Sequence, residues 1–223
     1  MARISTPGIW LPGYLNTCNS PSPTGAGTDA AGNPYFQGLN PGKMIVLGVD
    51  EAQNAASPGT TIYDGSYQWV HLDSGATAEY ATQGYAAYVK LDSGATQGAL
   101  PETDYDGFVV TTGDQANILG GGSFMAGIFI NPATVGGVAN GPTPGNWTMI
   151  FVGAGRAQVS VGTVAQVAVG NAVYPDSNHE GQFEGAATNS TTPGYTNGVA
   201  VAAGAEGATA VAYYKDVIFH FPN

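Results

Sequence analysis

From residue 44 onward the apolar residues fall into short runs separated by turn formers. The runs span 44–49, 67–72, 86–91, 108–112, 125–130, 147–152, 157–161, 165–170, 198–203, 209–214 and 217–221, with Gly, Pro, Asn and Asp clusters between them. Runs of this length bounded in this way predict strands. Within them the alternation has period two: Ala157, Val159 and Val161 share one face and Gln158 and Ser160 the other, and Val217, Phe219 and Phe221 lie opposite Ile218 and His220. The best helical window, 76–88, is interrupted by Gly84. The pattern therefore predicts an all-β fold built from small β-barrel or sandwich units.

Residues 1–43 lack this pattern. They are rich in Pro, Gly, Asn, Ser and Thr, with too few apolar side chains to offset the entropy of ordering them as an independent core. They are expected to form an extended N-terminal arm. One concentrated apolar cluster, Ile9, Trp10, Leu11 and Tyr14, is poorly suited to water and marks the arm as a contact element, either on the chain's own body or on a neighbour.

One stretch is written twice. Trp69–Thr77 and Tyr88–Thr96 both read aromatic-Val-basic-Leu-Asp-Ser-Gly-Ala-Thr, at an offset of 19 residues (Leu72 against Leu91). Val70 and Leu72 should share a face, as should Val89 and Leu91, with each strand running into an Asp-Ser-Gly turn whose aspartate bonds the backbone. The offset suits two strands running the same way, two places apart. Asp-Ser-Gly is also the signature around the nucleophile-activating carboxylate of aspartic proteases, which would make Asp73 or Asp92 catalytic. That chemistry needs two carboxylates sharing one proton across a twofold axis, and two copies 19 residues apart in one small β unit are badly placed to supply it.

Composition narrows the choice further. Charged residues make up 9% of the 223, and five Lys and Arg against 16 Asp and Glu leave a formal charge of −11. The five cations are scattered singly, so no basic stripe is present and no nucleic-acid partner is expected. No apolar stretch approaches membrane-spanning length, no secretory leader is visible, and the chain is expected to be soluble. A single cysteine, Cys18, allows no intrachain disulfide.

Other motifs are partial. Residues 151–157 (FVGAGRA) resemble a dinucleotide-binding loop, but Gln158 stands at the third glycine position and a strand pattern follows. Glu102, Asp104 and Asp106 look like half a calcium loop, as does 176–181, but the twelfth positions are Gly113 and Ala187. His71, His179 and His220 have no metal spacing. Trp69, Trp147, Tyr213 and Tyr214 could form a sugar-stacking platform, although strand aromatics usually serve core or interface. No catalytic residues, cofactor or metal are expected.

The segment from about Ser123 to the C-terminus, through Gly145-Asn146-Trp147, Arg156–Val161 and Val169–Val173, resembles the head decoration (cement) proteins of tailed bacteriophages. The resemblance implies a non-enzymatic structural protein on the exterior of a virion, made in the host cytoplasm. It would bind the major capsid protein and itself, as a homotrimer, and stabilise the capsid. The arm residues Ile9, Trp10, Leu11 and Tyr14 would make the capsid or inter-subunit contacts. The division expected is an arm over 1–43, a β domain with the doubled unit over 44–112, and a decoration-like β-barrel over 113–223. A receptor- or glycan-binding module of the virion surface is the alternative, and an aspartic-protease-like hydrolase a further one.

Overall fold

Alternating side chains close five strands into a ring around one of two buried clusters. The computed structural model describes residues 14–23, 27–28, 34–35, 40–90, 108–113, 125–162, 166–176, 179–186 and 198–218. The strands are β1 (Gly27–Thr28), β2 (Pro34–Tyr35), β3 (Met44–Leu47), β4 (Gly65–Leu72), β5 (Ala86–Val89), β6 (Val109–Thr111) and β7 (Met125–Phe129). They continue as β8 (Thr134–Val135), β9 (Val138–Ala139), β10 (Trp147–Ser160), β11 (Ala172–Pro175), β12 (Phe183–Ala186), β13 (Gly198–Ala202) and β14 (Thr209–Val217). Among the described residues one α-helix, α1 (Val49–Ala55), accompanies them, and the fold is all-β as the pattern predicts. None of the helices described is long and apolar enough to cross a membrane.

The pairings β4–β6, β6–β5, β5–β7, β7–β10 and β10–β4 complete the ring; only β4–β6 is parallel. Its strands come from both sides of residue 112. Val70 and Leu72 of β4, Ala87 and Val89 of β5, Val110 of β6, Ala126 of β7, and Ile150 and Val152 of β10 fill it as one cluster. The alternate positions, including Tyr67, Trp69, Tyr88, Met149 and Phe151, point outward into a second, larger cluster. A five-stranded extension, β10–β14–β13–β11–β12, covers part of that outer layer with the inward faces of Val159, Val173, Ala200, Ala212 and Tyr214.

β10 links ring and extension because it changes partners midway. Its first half pairs with β4 and β7, and its second half with β14. The register shifts at Gly153–Gly155, where Gly153 has φ +119° and Ala154 φ +52°. A Cβ on Gly155 would lie 2.1 Å from the Asp64 carbonyl oxygen, and one on Gly153 would lie 2.4 Å from that of Asp216. The FVGAGRA motif is thus a β-bulge whose glycines admit neighbouring backbone. Runs 147–152 and 157–161, read separately in the sequence, are one strand of 14 residues.

The doubled stretch is also arranged differently from expectation. The two copies do lie two strands apart, but β6 inserts between them from later in the chain and β4 and β5 run in opposite directions. The 76–88 window supplies only a 3₁₀ turn (Ala78–Tyr80) before β5 begins. The helix forms instead at Val49, where Gly48 ends the apolar run. There Asp50 and Glu51 occupy the first turn, and Glu51 Oε2 accepts the Gly48 N–H at 3.0 Å.

Candidate functional site

Of the arm residues, Tyr14 is half-buried, and Ile9, Trp10 and Leu11 lie outside the described residues. The chain from Tyr14 to Pro23 is a strap built into the body, so this part of the expected arm packs on the chain's own body. Leu15 and Cys18 are fully buried in the outer cluster. Ser20 forms an antiparallel bridge with Trp147 on the edge of β10, and the Trp69 indole donates to the Pro23 carbonyl at 2.9 Å.

Side-chain amides clip the strap down. Asn16 accepts the Ser57 N–H at 3.0 Å and donates to Thr60 Oγ1 at 2.7 Å. Asn140 donates to the Asn16 carbonyl at 2.9 Å, while Asn131 Nδ2 and Thr148 Oγ1 both donate to the Cys18 carbonyl, at 2.9 and 3.0 Å. Asn146 Nδ2 donates to Asn19 Oδ1 at 2.8 Å. A few apolar side chains therefore suffice to seat the strap, because the body satisfies its buried backbone groups. Sequence reasoning had no signal for this: the asparagines read as turn formers, and their partners are up to 127 residues away.

In the doubled unit, Asp73 N–H donates to the Val110 carbonyl and its own carbonyl accepts from Ala76, closing the turn through backbone. The Asp73 carboxylate pairs with the Lys90 ammonium at 3.0 Å. Asp92 lies outside the described residues, as do Glu102, Asp104 and Asp106. In the 176–181 turn, the buried Asp176 carboxylate is 2.7 Å from His179 Nδ1. Nearby, burial and then the Asp176 charge raise the Glu184 carboxyl above its ordinary value. Among the described residues no group of three His, Cys, Asp or Glu is placed to hold a metal ion. Trp69, Trp147 and Tyr214 are core residues, and only Tyr213 of that aromatic set is exposed.

The feature that sequence reasoning passed over is the outer face of β13 and β14. Val199, Val201 and Tyr213 are 40%, 48% and 44% exposed, while the inward positions of the same strands are Ala200, Ala210 and Ala212. Val199 and Tyr213 are directly opposed across the ladder, and Arg156 follows Tyr213 on β10. Arg156 is held by Asp64, Nε to Oδ1 at 2.7 Å, and lies over the Tyr63 ring. Along β13 the larger apolar side chains thus face water and the smaller ones face the core, the reverse of the usual arrangement, whereas β14 also sends Tyr214 inward. That reversal is visible in "GVAVAA", but its direction is undefined until the buried side is known.

Compared with protein-family models, with curated proteins and with solved structures, the chain has no match.

Proposed function

We propose that this protein is a structural subunit of a virion shell: a decoration, or cement, protein that binds the major capsid protein on the exterior of a tailed-phage capsid, assembles with itself as a trimer, and stabilises the shell. The observation that carries the reading is the outward face of β13 and β14 on an acidic chain, where exposed Val199, Val201 and Tyr213 lie together on adjacent strands. Exposed, directly opposed apolar side chains on a sheet are what an assembly contact requires. The stretch that resembles decoration proteins lies on β10 and β11, in the same extension. The strap supports the reading as well, since it fixes the root of the apolar arm segment at Tyr14.

The test is to mix the purified full-length protein with expanded capsid shells and measure bound mass and shell resistance to heat. Saturable binding with a raised disruption temperature is expected, and shells that ignore the protein would overturn the proposal. The alternative of a glycan-binding surface module has one observation in its favour, the exposed Tyr213 ring, and predicts a fluorescence change on titration with sugars.

A further inference from the structure

We infer that Ile9–Leu11 of one copy dock on the outer face of β13 and β14 of a second copy, an inference that rests on the assembly reading above and names the contact that would hold the assembly together.

Three properties of the chain argue for this occupant. The first is chemical match. The face offers Val199, Val201 and Tyr213 to water, and Ile-Trp-Leu is a run of large apolar residues in the otherwise turn-rich sequence before the strap. A Trp against a cluster of Val and Tyr is the kind of contact that dominates interfaces.

The second is charge. Residues 1–13 contain Arg3 and no carboxylate, whereas the remaining residues carry four cations and 16 acids, 4 − 16 = −12. Two such bodies repel each other face to face, so an isologous contact between these sheet faces is disfavoured. The 1–13 segment carries no carboxylate and adds nothing to that net repulsion, and the Ile9–Leu11 run is uncharged, so it can meet a face flanked by Arg156 and Lys215.

The third is reach. Tyr14 is anchored, so Ile9, five residues earlier, stays within about 18 Å of it. The strap meets β10 at Trp147, whereas the receiving face adjoins β10 at Arg156, nine residues and up to about 30 Å of strand further on. Donor root and acceptor face are different parts of the surface, and a contact of that kind repeats from copy to copy around a closed ring.

The experiment uses full-length protein carrying Ile9→Cys with Val201→Cys, and in parallel Ile9→Cys with Val199→Cys, which keeps Trp10 and moves the acceptor by about 7 Å along β13. Native Cys18 is fully buried and stays silent. After mild oxidation, non-reducing electrophoresis should show an interchain disulfide ladder with at least one pair, abolished by prior denaturation. A faster-migrating monomer, meaning docking on the chain's own face, overturns the inference, and so does absence of any disulfide with both pairs. Shell binding of the same proteins is scored separately. Binding without a cross-link overturns the arm contact and leaves the decoration proposal standing; a cross-link without binding does the reverse.

Discussion

Lys90, in the second copy of the doubled stretch, holds Asp73 of the first in an ion pair, Nζ to Oδ2 3.0 Å, across the strand that separates them. The repeat thereby bonds to itself: the basic position of one copy neutralises the acidic turn of the other. Both groups retain solvent contact, with side chains 42% and 18% exposed, so the pair contributes no more than about 1 kcal/mol. Asp73→Asn should lower the melting temperature by at most about 4 °C at this chain length. Calorimetry checks this, and loss of a peptide-cleaving activity in the same variant would instead favour the hydrolase reading.

Asn131 is fully buried and donates to the Cys18 carbonyl, so it links the body to the strap. Asn131→Ala removes that donor and leaves Thr148 as the remaining anchor of the carbonyl. The expected cost is about 1–3 kcal/mol. Burial raises the Cys18 thiol well above its ordinary value, so it should react with a thiol reagent only when the strap lifts. The variant should react at least tenfold faster than wild type at neutral pH. An unchanged rate would show that the asparagine does not hold the strap.

The Tyr214 ring lies in the outer cluster, and its hydroxyl has no hydrogen-bond partner among the described residues. Tyr214→Phe removes an unsatisfied polar atom and keeps the ring, so stability at pH 7 should be unchanged or higher, by up to about 2 kcal/mol. Denaturant unfolding measures this directly.

Burial also raises the phenol groups of Tyr67 and Tyr214, the former despite donating to the Tyr63 carbonyl, as it raises the Cys18 thiol. In the unfolded chain these groups ionise near about 8.5 for the thiol and about 10 for the phenols, while the native state keeps them protonated. The unfolded state then binds fewer protons, so their stabilising contribution is complete below about pH 8.5 and declines as pH rises beyond it, more steeply past about 10. Tyr214→Phe should flatten the steeper part. Melting temperatures from pH 7 to 11 test the shape.

Gly155 and Gly170 separate two reasons for glycine. A methyl group at Gly155 would strike the Asp64 carbonyl and the Gly65 Cα, 2.1 and 2.5 Å away, which are backbone atoms of the neighbouring chain segment. Gly155→Ala should cost about 3 kcal/mol or more by prising β10 from that segment. Gly170 has φ +85° and nothing within 4 Å of an added Cβ, so Gly170→Ala should cost only about 1 kcal/mol of backbone strain. Equal losses at the two sites would contradict the close-approach account of the bulge.

The sequence by itself determined that the chain is all-β and which residues share a side of most strands. Val70 with Leu72, and Trp69 on the opposite side, follow from the pleat, which is set by each residue's own backbone and needs no partner. Tertiary structure decided the rest, because pairing and burial depend on segments far away in the chain. No local rule told β6 to insert between the doubled strands, joined 147–152 to 157–161 through a bulge, or aimed three asparagines at a strap more than a hundred residues away. The short β11 and β12 went unread because Ala172–Pro175 is brief and ends in proline and Phe183–Ala186 holds Glu184 and Gly185, so both are strands only by virtue of their neighbours. On β13 and β14 the alternation was legible, yet only the packed layer beneath shows that the alanines are inside and that Val199, Val201 and Tyr213 are left facing water.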